Sequence, residues 1–211
     1  GQIVKAAGSD PAKFTELMKF YLWYGFVVIF GLVTMAFVVY PLIVKAMTGM
    51  GFGKFLGGVR DAQITAFSTS SSVATLPVTM DCLENNIGAS KSTASFVLPI
   101  GATVNMDGTS LYQAVAVVAM AQFHMIDLSI AQQAIIVGTA TLASIGAAAI
   151  PSAGLVLMMV VLESVGLNPA WIAIIFPIDR ILDMCRTVVN VTGDATVTTI
   201  IAKSEGELKL E

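Results

Sequence analysis

The stretch Ile178–Ile201, IDRILDMCRTVVNVTGDATVTTII, places Asp179, Asp183, Arg186, Asn190 and Asp194 at offsets 0, 4, 7, 11 and 15. At about 100° per residue an α-helix gathers these positions into a stripe roughly 80° wide, so four charges share one face. On a soluble helix such a face is solvated and laced by i,i+4 pairs. Inside a membrane it marks a functional site. The remainder of the chain decides between the two readings.

Of the 211 residues 56% are hydrophobic and 12% charged, with a mean hydropathy of +0.83, far above the balance of a soluble domain. The expected class is an all-α, multi-pass membrane protein. Phe20–Val44 carries no charge, is bounded by Lys19 and Lys45, and has Tyr21, Trp23 and Tyr24 near one end. That is the pattern of a spanning helix with interfacial aromatics, and it is too long and too far from the start for a cleaved signal peptide. Cys82 and Cys185 lie far apart without a CxxC or a nearby His, so they read as packing thiols. The net charge of −3 comes without a basic stripe, which argues against nucleic-acid binding. The first residue is Gly1, inside an amphipathic segment, and the chain is expected to be a portion of a longer protein.

Residues 48–63, TGMGFGKFLGGVRDAQ, suit a surface turn or interfacial stretch. Residues 66–77, AFSTSSSVATLP, set six hydroxyl residues and a Pro between apolar flanks too short to cross a bilayer alone, so a re-entrant hairpin over about 57–86 is expected. A long apolar run over about 90–123 is interrupted by NMDGTS at 105–110 and reads as a broken transmembrane helix. A second hairpin over about 129–166 carries ASIGAAAIPSAG at 143–154 and is followed by the striped helix over about 169–204, whose NVTGD at 190–194 echoes the first interruption. Hairpin followed by interrupted helix, twice, is the internal inverted repeat of a secondary transporter, with its site where the interruptions meet. Small residues that merely allow close helix packing are the plainer explanation of either hairpin taken singly.

Backbone carbonyls freed at a helix break, joined by a carboxylate, form a hard-oxygen site that suits Na+, and His and Cys clusters for softer metals are lacking. Asp107 and Asp194 are the natural charged ligands, with carbonyls near Gly101, Asn105 and Asn190; an Asx-type cap is the alternative role for Asp107. Each buried carboxylate costs about 2.5–3.5 kcal/mol on insertion scales, so bound cations and a ligand ammonium are expected to neutralise the stripe. Arg186 offers a planar fork to a carboxylate and Asp183 a partner for an ammonium. Ser71, Ser72 and Asn190 can donate to a second carboxylate. Together they describe a pocket for a zwitterion with an acidic side chain.

The segments SSSVATLPVTM, LPIGATVNMDGTSLYQ, ASIGAAAIPSAG and ILDMCRTVVNVTGDATVTTIIAK resemble the first hairpin, seventh helix, second hairpin and eighth helix of the sodium-coupled glutamate and aspartate transporters, the dicarboxylate/amino acid:cation symporters. The resemblance covers roughly residues 20 to 205. It implies a Na+-coupled symporter of acidic amino acids, not an enzyme, embedded in lipid at the plasma or bacterial inner membrane, with no organic cofactor. It further implies a homotrimer assembled through N-terminal scaffold helices, a scaffold end over 1–50, and a transport domain over 51–211 that moves as an elevator. Arg186 would hold the substrate side-chain carboxylate, Asp183 its amino group, and Asn190 with Ser72 the main-chain carboxylate. Ser71, Thr109, Thr187, Ala149 and Gly154 would line the pocket, and Asp179 would orient Arg186. One Na+ site would use Gly101, Asn105, Asn190 and Asp194; a second Thr103, Met106, Ser144, Ile145 and Ala147; a third Asn105 and Asp107. The chain departs from the family pattern at Ser70 and Arg180, where an additional Arg occupies one of two places, and at Ala149 and Ser152, which replace glycines. A C4-dicarboxylate or neutral amino acid symporter of the same family is the near alternative. From other classes, an ion channel would use the same polar stripe to line a pore, and a hydrolase based on Ser70–Ser72 lacks a GxSxG motif and has only His124 as a base.

Overall fold

The computed structural model describes residues 11–147 and 151–209, and among these it contains helices and no strand. The first helix runs as α1 (Pro11–Thr34), a π-helical turn (Met35–Val39) and α2 (Tyr40–Thr48), ending at Gly49 in the left-handed region that glycine adopts without strain. Ala12–Thr48 is thus one rod of 37 residues, longer than the expected 20–44 span, and among the described residues it is the one helix long and apolar enough to cross a membrane.

Helix α3 (Phe52–Thr69) and α4 (Ser72–Asp81) form the first antiparallel pair, continued by a second π-helical turn (Cys82–Ile87). The glycine-rich link at 48–63 is therefore mostly helix rather than turn. Close packing explains it: a Cβ on Gly58 would lie 2.5 Å from Ile87 Cδ1, so glycine lets the two arms touch. The reversal at the tip falls on Ser70, itself left-handed with φ 53°, and Ser71 caps α4 by accepting from the Ala74 N–H.

The next run breaks as expected, into α5 (Lys91–Val104) and α6 (Asp107–Phe123) at Asn105–Met106. A full capping box of Ser129 and Gln132 opens α7 (Ile130–Ile145), which pairs with α8 (Ala153–Ser164). A short 3-10 turn (Pro169–Trp171) leads into α9 (Ile172–Ser204).

The expected second interruption is absent: α9 is continuous through Asn190–Asp194. One glycine among helix-compatible residues does not break it, and Thr192, Thr196, Thr198 and Thr199 each return their hydroxyl to the carbonyl four residues earlier. The Asn190 carbonyl is thus part of a helix rather than of unwound backbone.

Helix α9 is the central mast. It contacts α1, α2, α3, α4, α5, α6 and α8, and its residues from Asp179 to Ala202 are buried on most sides. Besides a small cluster of Ala62, Ala66, Cys82 and Val191, two larger apolar cores flank it among the described residues. Tyr24, Val28, Met120, Leu162 and Ile175 belong to one, near the start of α1; Val44, Phe55, Leu83, Leu98 and Ala202 belong to the other, near the end of α9. Cys82 and Cys185 are free, as packing thiols should be.

Candidate functional site

Both hairpin tips arrive at the middle of α9, where they enclose a cavity of about 20 Å³, room for about one water molecule. Ser70 and Ser72 close it from the first tip, Ala147 and Gly154 from the second. Met106 and Thr109 enter from the break between α5 and α6, and Asp183, Arg186, Thr187 and Asn190 from α9.

Arg186 is 2% exposed and lies at the centre of the charge network. Its Nε donates to Asp183 Oδ1 at 2.8 Å and its second terminal nitrogen to the same oxygen at 2.7 Å, while the first reaches Asp179 Oδ1 at 3.3 Å. The guanidinium also lies 4.4 Å from the centre of the Tyr112 ring, whose hydroxyl donates to Asp179 Oδ1 at 2.7 Å. Tyr112 thus holds the cation by its face and the orienting carboxylate by its edge. Asp179 thus lies in contact with Arg186, as its spacing on the helix predicts. The remaining Asp183 oxygen accepts the Ser152 N–H at 2.9 Å, so the second tip is tied to the mast.

The expected distribution of charge changes accordingly. Asp179 and Asp183 share Arg186 as their buried cation, and Asp183 lines the cavity that has room for about one water. Arg and Asp three residues apart on a buried helix satisfy one another because isolation in an apolar interior costs each several kcal/mol, on the order of the effective burial penalty per ion.

Asn190 joins α9 to the broken helix. Its Oδ1 accepts the Gly108 N–H at 2.8 Å, one of the donors left over at the start of α6, and its Nδ2 donates to Thr109 Oγ1 at 3.3 Å. Gly108 must be glycine, since a Cβ would meet the Arg186 carbonyl oxygen at 2.4 Å. Thr187 is buried with its hydroxyl on the Asp183 carbonyl at 2.8 Å.

The residues of the first candidate cation site come together in part. Asn105 Nδ2 donates to Asp194 Oδ1 at 2.9 Å, and a Cβ on Gly101 would lie 2.6 Å from that same oxygen. Asn190 faces Gly108 and Thr109 instead. Asp107 accepts from the Tyr40 hydroxyl at 2.7 Å. Of the second set, Met106 and Ala147 share the cavity wall, and the Ser144 carbonyl accepts from the Ala147 N–H at 3.0 Å. Thr103 and Ile145 are exposed. Ala149 lies outside the described residues.

Two side chains differ from expectation at the first tip. Ser71 is a helix cap and does not line the cavity, whereas Ser70 does, with a buried Oγ that has no hydrogen-bond partner in the structure. The run of three serines held no signal to distinguish them; the left-handed turn at Ser70 does. Arg180 is largely exposed, with a long contact of 3.9 Å to Asp183. His124 stacks on Trp171 with ring centres 3.7 Å apart, at the end of α6, and takes no part in the serine tip.

Sequence comparisons show the family to which the chain belongs. The model of the sodium:dicarboxylate symporter family matches residues 3–204. The putative sodium-dependent excitatory amino acid transporter glt-4 of Caenorhabditis elegans is 47% identical over 92% of this chain and 38% of its own length. Excitatory amino acid transporter 1 of Rattus norvegicus is 49% identical over 88% of this chain and 34% of its own, and that of Ambystoma tigrinum 51% over 82% and 32%. The chain spans about a third of the length of these relatives. With nearly its whole length matched, the chain belongs to the sodium:dicarboxylate symporter family of membrane transporters.

Proposed function

We propose that this chain forms the substrate- and cation-binding part of a secondary symporter that couples the Na+ gradient to uptake of acidic amino acids. The carrying observation is the buried Arg186 fork, opposed by Asp183 and closed over by both tips. A fork buried at this depth is matched to a carboxylate, and its exchange of Asp183 for a substrate carboxylate leaves Asp183 available for the ammonium. Asn190 and the Ser70–Ser72 tip supply donors for a second carboxylate. Asp194 with Asn105 and Gly101, and Asp107, are the oxygen ligands for Na+; Thr103, Met106, Ser144, Ile145 and Ala147 form the further carbonyl site once the second tip moves. All three relatives are named as excitatory amino acid transporters, which supports the substrate class and sets the hydrolase aside.

The two helix pairs serve as re-entrant hairpins of an inverted repeat. Lys45, Lys54, Arg60, Lys91, Lys203 and Lys209 each stand within two residues in sequence of a member of one core, against Lys19 and Arg180 beside the other. By the positive-inside rule the first end is cytoplasmic, so the tips approach α9 from opposite sides of the bilayer. The setting is a plasma or bacterial inner membrane, and the assembly a homotrimer through scaffold helices. Residues 51–211 belong to the mobile transport domain of an elevator. The hydrogen bonds of Tyr40 to Asp107 and of Tyr21 to the Ile174 carbonyl favour grouping the first helix with that domain rather than with a scaffold end over 1–50.

Calorimetric titration with aspartate, serine and succinate tests the substrate reading. Arg186→Cys is expected to abolish binding of aspartate and succinate but not of serine, and Asp183→Ser to weaken aspartate relative to succinate. Unchanged aspartate affinity in either variant would defeat the assignment. A channel would give non-saturating, uncoupled conductance, and a plain dicarboxylate carrier would prefer succinate in the wild type.

A further inference from the structure

Tyr40 has no place in the substrate or cation assignments above, yet it is buried against both carboxylates of the cation region. It is 4% exposed and is the first residue after the π-helical turn of Met35–Val39. Such a turn holds an extra residue and commonly lies at a functional position. The Tyr40 hydroxyl donates to Asp107 Oδ2 at 2.7 Å. It also crosses above Gly193 of the mast: a Cβ there would lie 2.9 Å from the Tyr40 oxygen and 2.7 Å from Asn105 Nδ2. Asn105 in turn donates to Asp194. Asp107, Tyr40, Asn105 and Asp194 therefore form one polar run across the small floor that Gly193 provides.

Every protein group directed at these carboxylates in the run is a donor. A phenol proton on Asp107 Oδ2 occupies the lone pair through which a hard cation would bind, and it presents its positive end to the cation's approach. We propose that the Tyr40 hydroxyl competes with Na+ for Asp107, so that Tyr40 is a positioning residue that sets the Na+ concentration at which the site fills. The inference rests on the Na+-coupled reading. When Na+ enters, the phenol turns from Asp107, and the adjoining π-helical turn supplies the slack in the helix for that movement.

The test uses the full-length transporter in detergent, with thermal unfolding followed during Na+ titration at fixed aspartate. Tyr40→Phe keeps the ring and removes the competitor. Its half-saturating Na+ concentration is expected to fall by about tenfold, the scale of a hydrogen bond to a charged group, while aspartate affinity at saturating Na+ is unchanged. Incorporation of 3-fluorotyrosine at position 40 strengthens the donor and is expected to raise the half-saturating concentration. This arm decides the matter alone if Tyr40→Phe does not fold. An unchanged or higher Na+ requirement in Tyr40→Phe, or an unchanged or lower one with fluorotyrosine, would overturn the proposal while leaving symport intact. A wild type whose stability and aspartate binding ignore Na+ would overturn both.

Discussion

The α5–α6 break and the middle of α9 carry nearly the same residues, NMDGT and NVTGD, and do opposite things with them. In the first, Pro99 and Gly101 weaken the approach, Asn105 and Met106 leave helical geometry, and α6 restarts with Asp107 in its first turn. In the second, the helix runs on and only the side chains turn inward. The two are complementary: the interrupted helix exposes the Gly108 N–H, and the continuous one supplies the Asn190 oxygen that accepts it. A site made of one broken and one unbroken helix gains free backbone from the former and rigid side-chain spacing from the latter.

Removal of the mast's central charge should break this arrangement most severely. Arg186→Ala leaves Asp179 and Asp183 buried without their cation, a loss of about 3–5 kcal/mol, and thermal unfolding in detergent should show a large drop besides the loss of aspartate binding. The junction itself comes next. Asn190→Ala orphans the Gly108 N–H inside the protein, at about 1–3 kcal/mol, and should weaken Na+ and aspartate binding together in calorimetry. Loss of one without the other would separate the two helices' roles.

The approach of the second tip depends on Gly154, where a Cβ would lie 2.7 Å from Thr109 Cγ2 and 3.4 Å from Arg186 Cζ. Gly154→Ala should hold that tip away from the mast, reducing aspartate affinity by roughly tenfold, in line with an overpacking cost of about 1–3 kcal/mol. Equal affinity would mean that the tip does not close on Arg186.

The smallest effect is expected far from the site. The Ser90 and Thr93 hydroxyls donate to Glu207 beyond the end of α9, and Lys209 N–H donates to the Gly88 carbonyl at 2.9 Å. The Ser90 hydroxyl first, then Thr93, holds the Glu207 carboxyl below its ordinary value. A lowered value in the folded chain means that this contribution is complete at neutral pH and is lost as pH falls below the ordinary glutamate value of about 4.3. Glu207→Ala should speed hydrogen exchange at the Lys209 amide at neutral pH while leaving aspartate affinity unchanged.

The offsets of Asp179 to Asp194 were enough to identify the mast, because a 3.6-residue period needs no tertiary information. The first break was legible for the same local reason, in the Asn, Asp and Gly of NMDGTS. The false second break shows where local reading ends: Asn190 and Gly193 resemble a break but are enclosed by neighbours that reward a continuous helix. Likewise, three adjacent serines gave no sign of which one faces the cavity, since that depends on the left-handed turn at Ser70. The pairing of Arg186 with two carboxylates was implicit in the spacing, but the roles of Tyr112 and Tyr40 required contacts 67 residues distant in sequence.

The most direct measurement is the aspartate affinity of the intact transporter at a series of Na+ concentrations, for wild type and for Asp194→Asn. The proposed Na+ site shares its helix with the proposed substrate residues, which would make the two bindings mutually dependent. The wild-type affinity should rise steeply with Na+, and Asp194→Asn should flatten the slope. Aspartate binding that is indifferent to Na+, or a slope unchanged in Asp194→Asn, would contradict it.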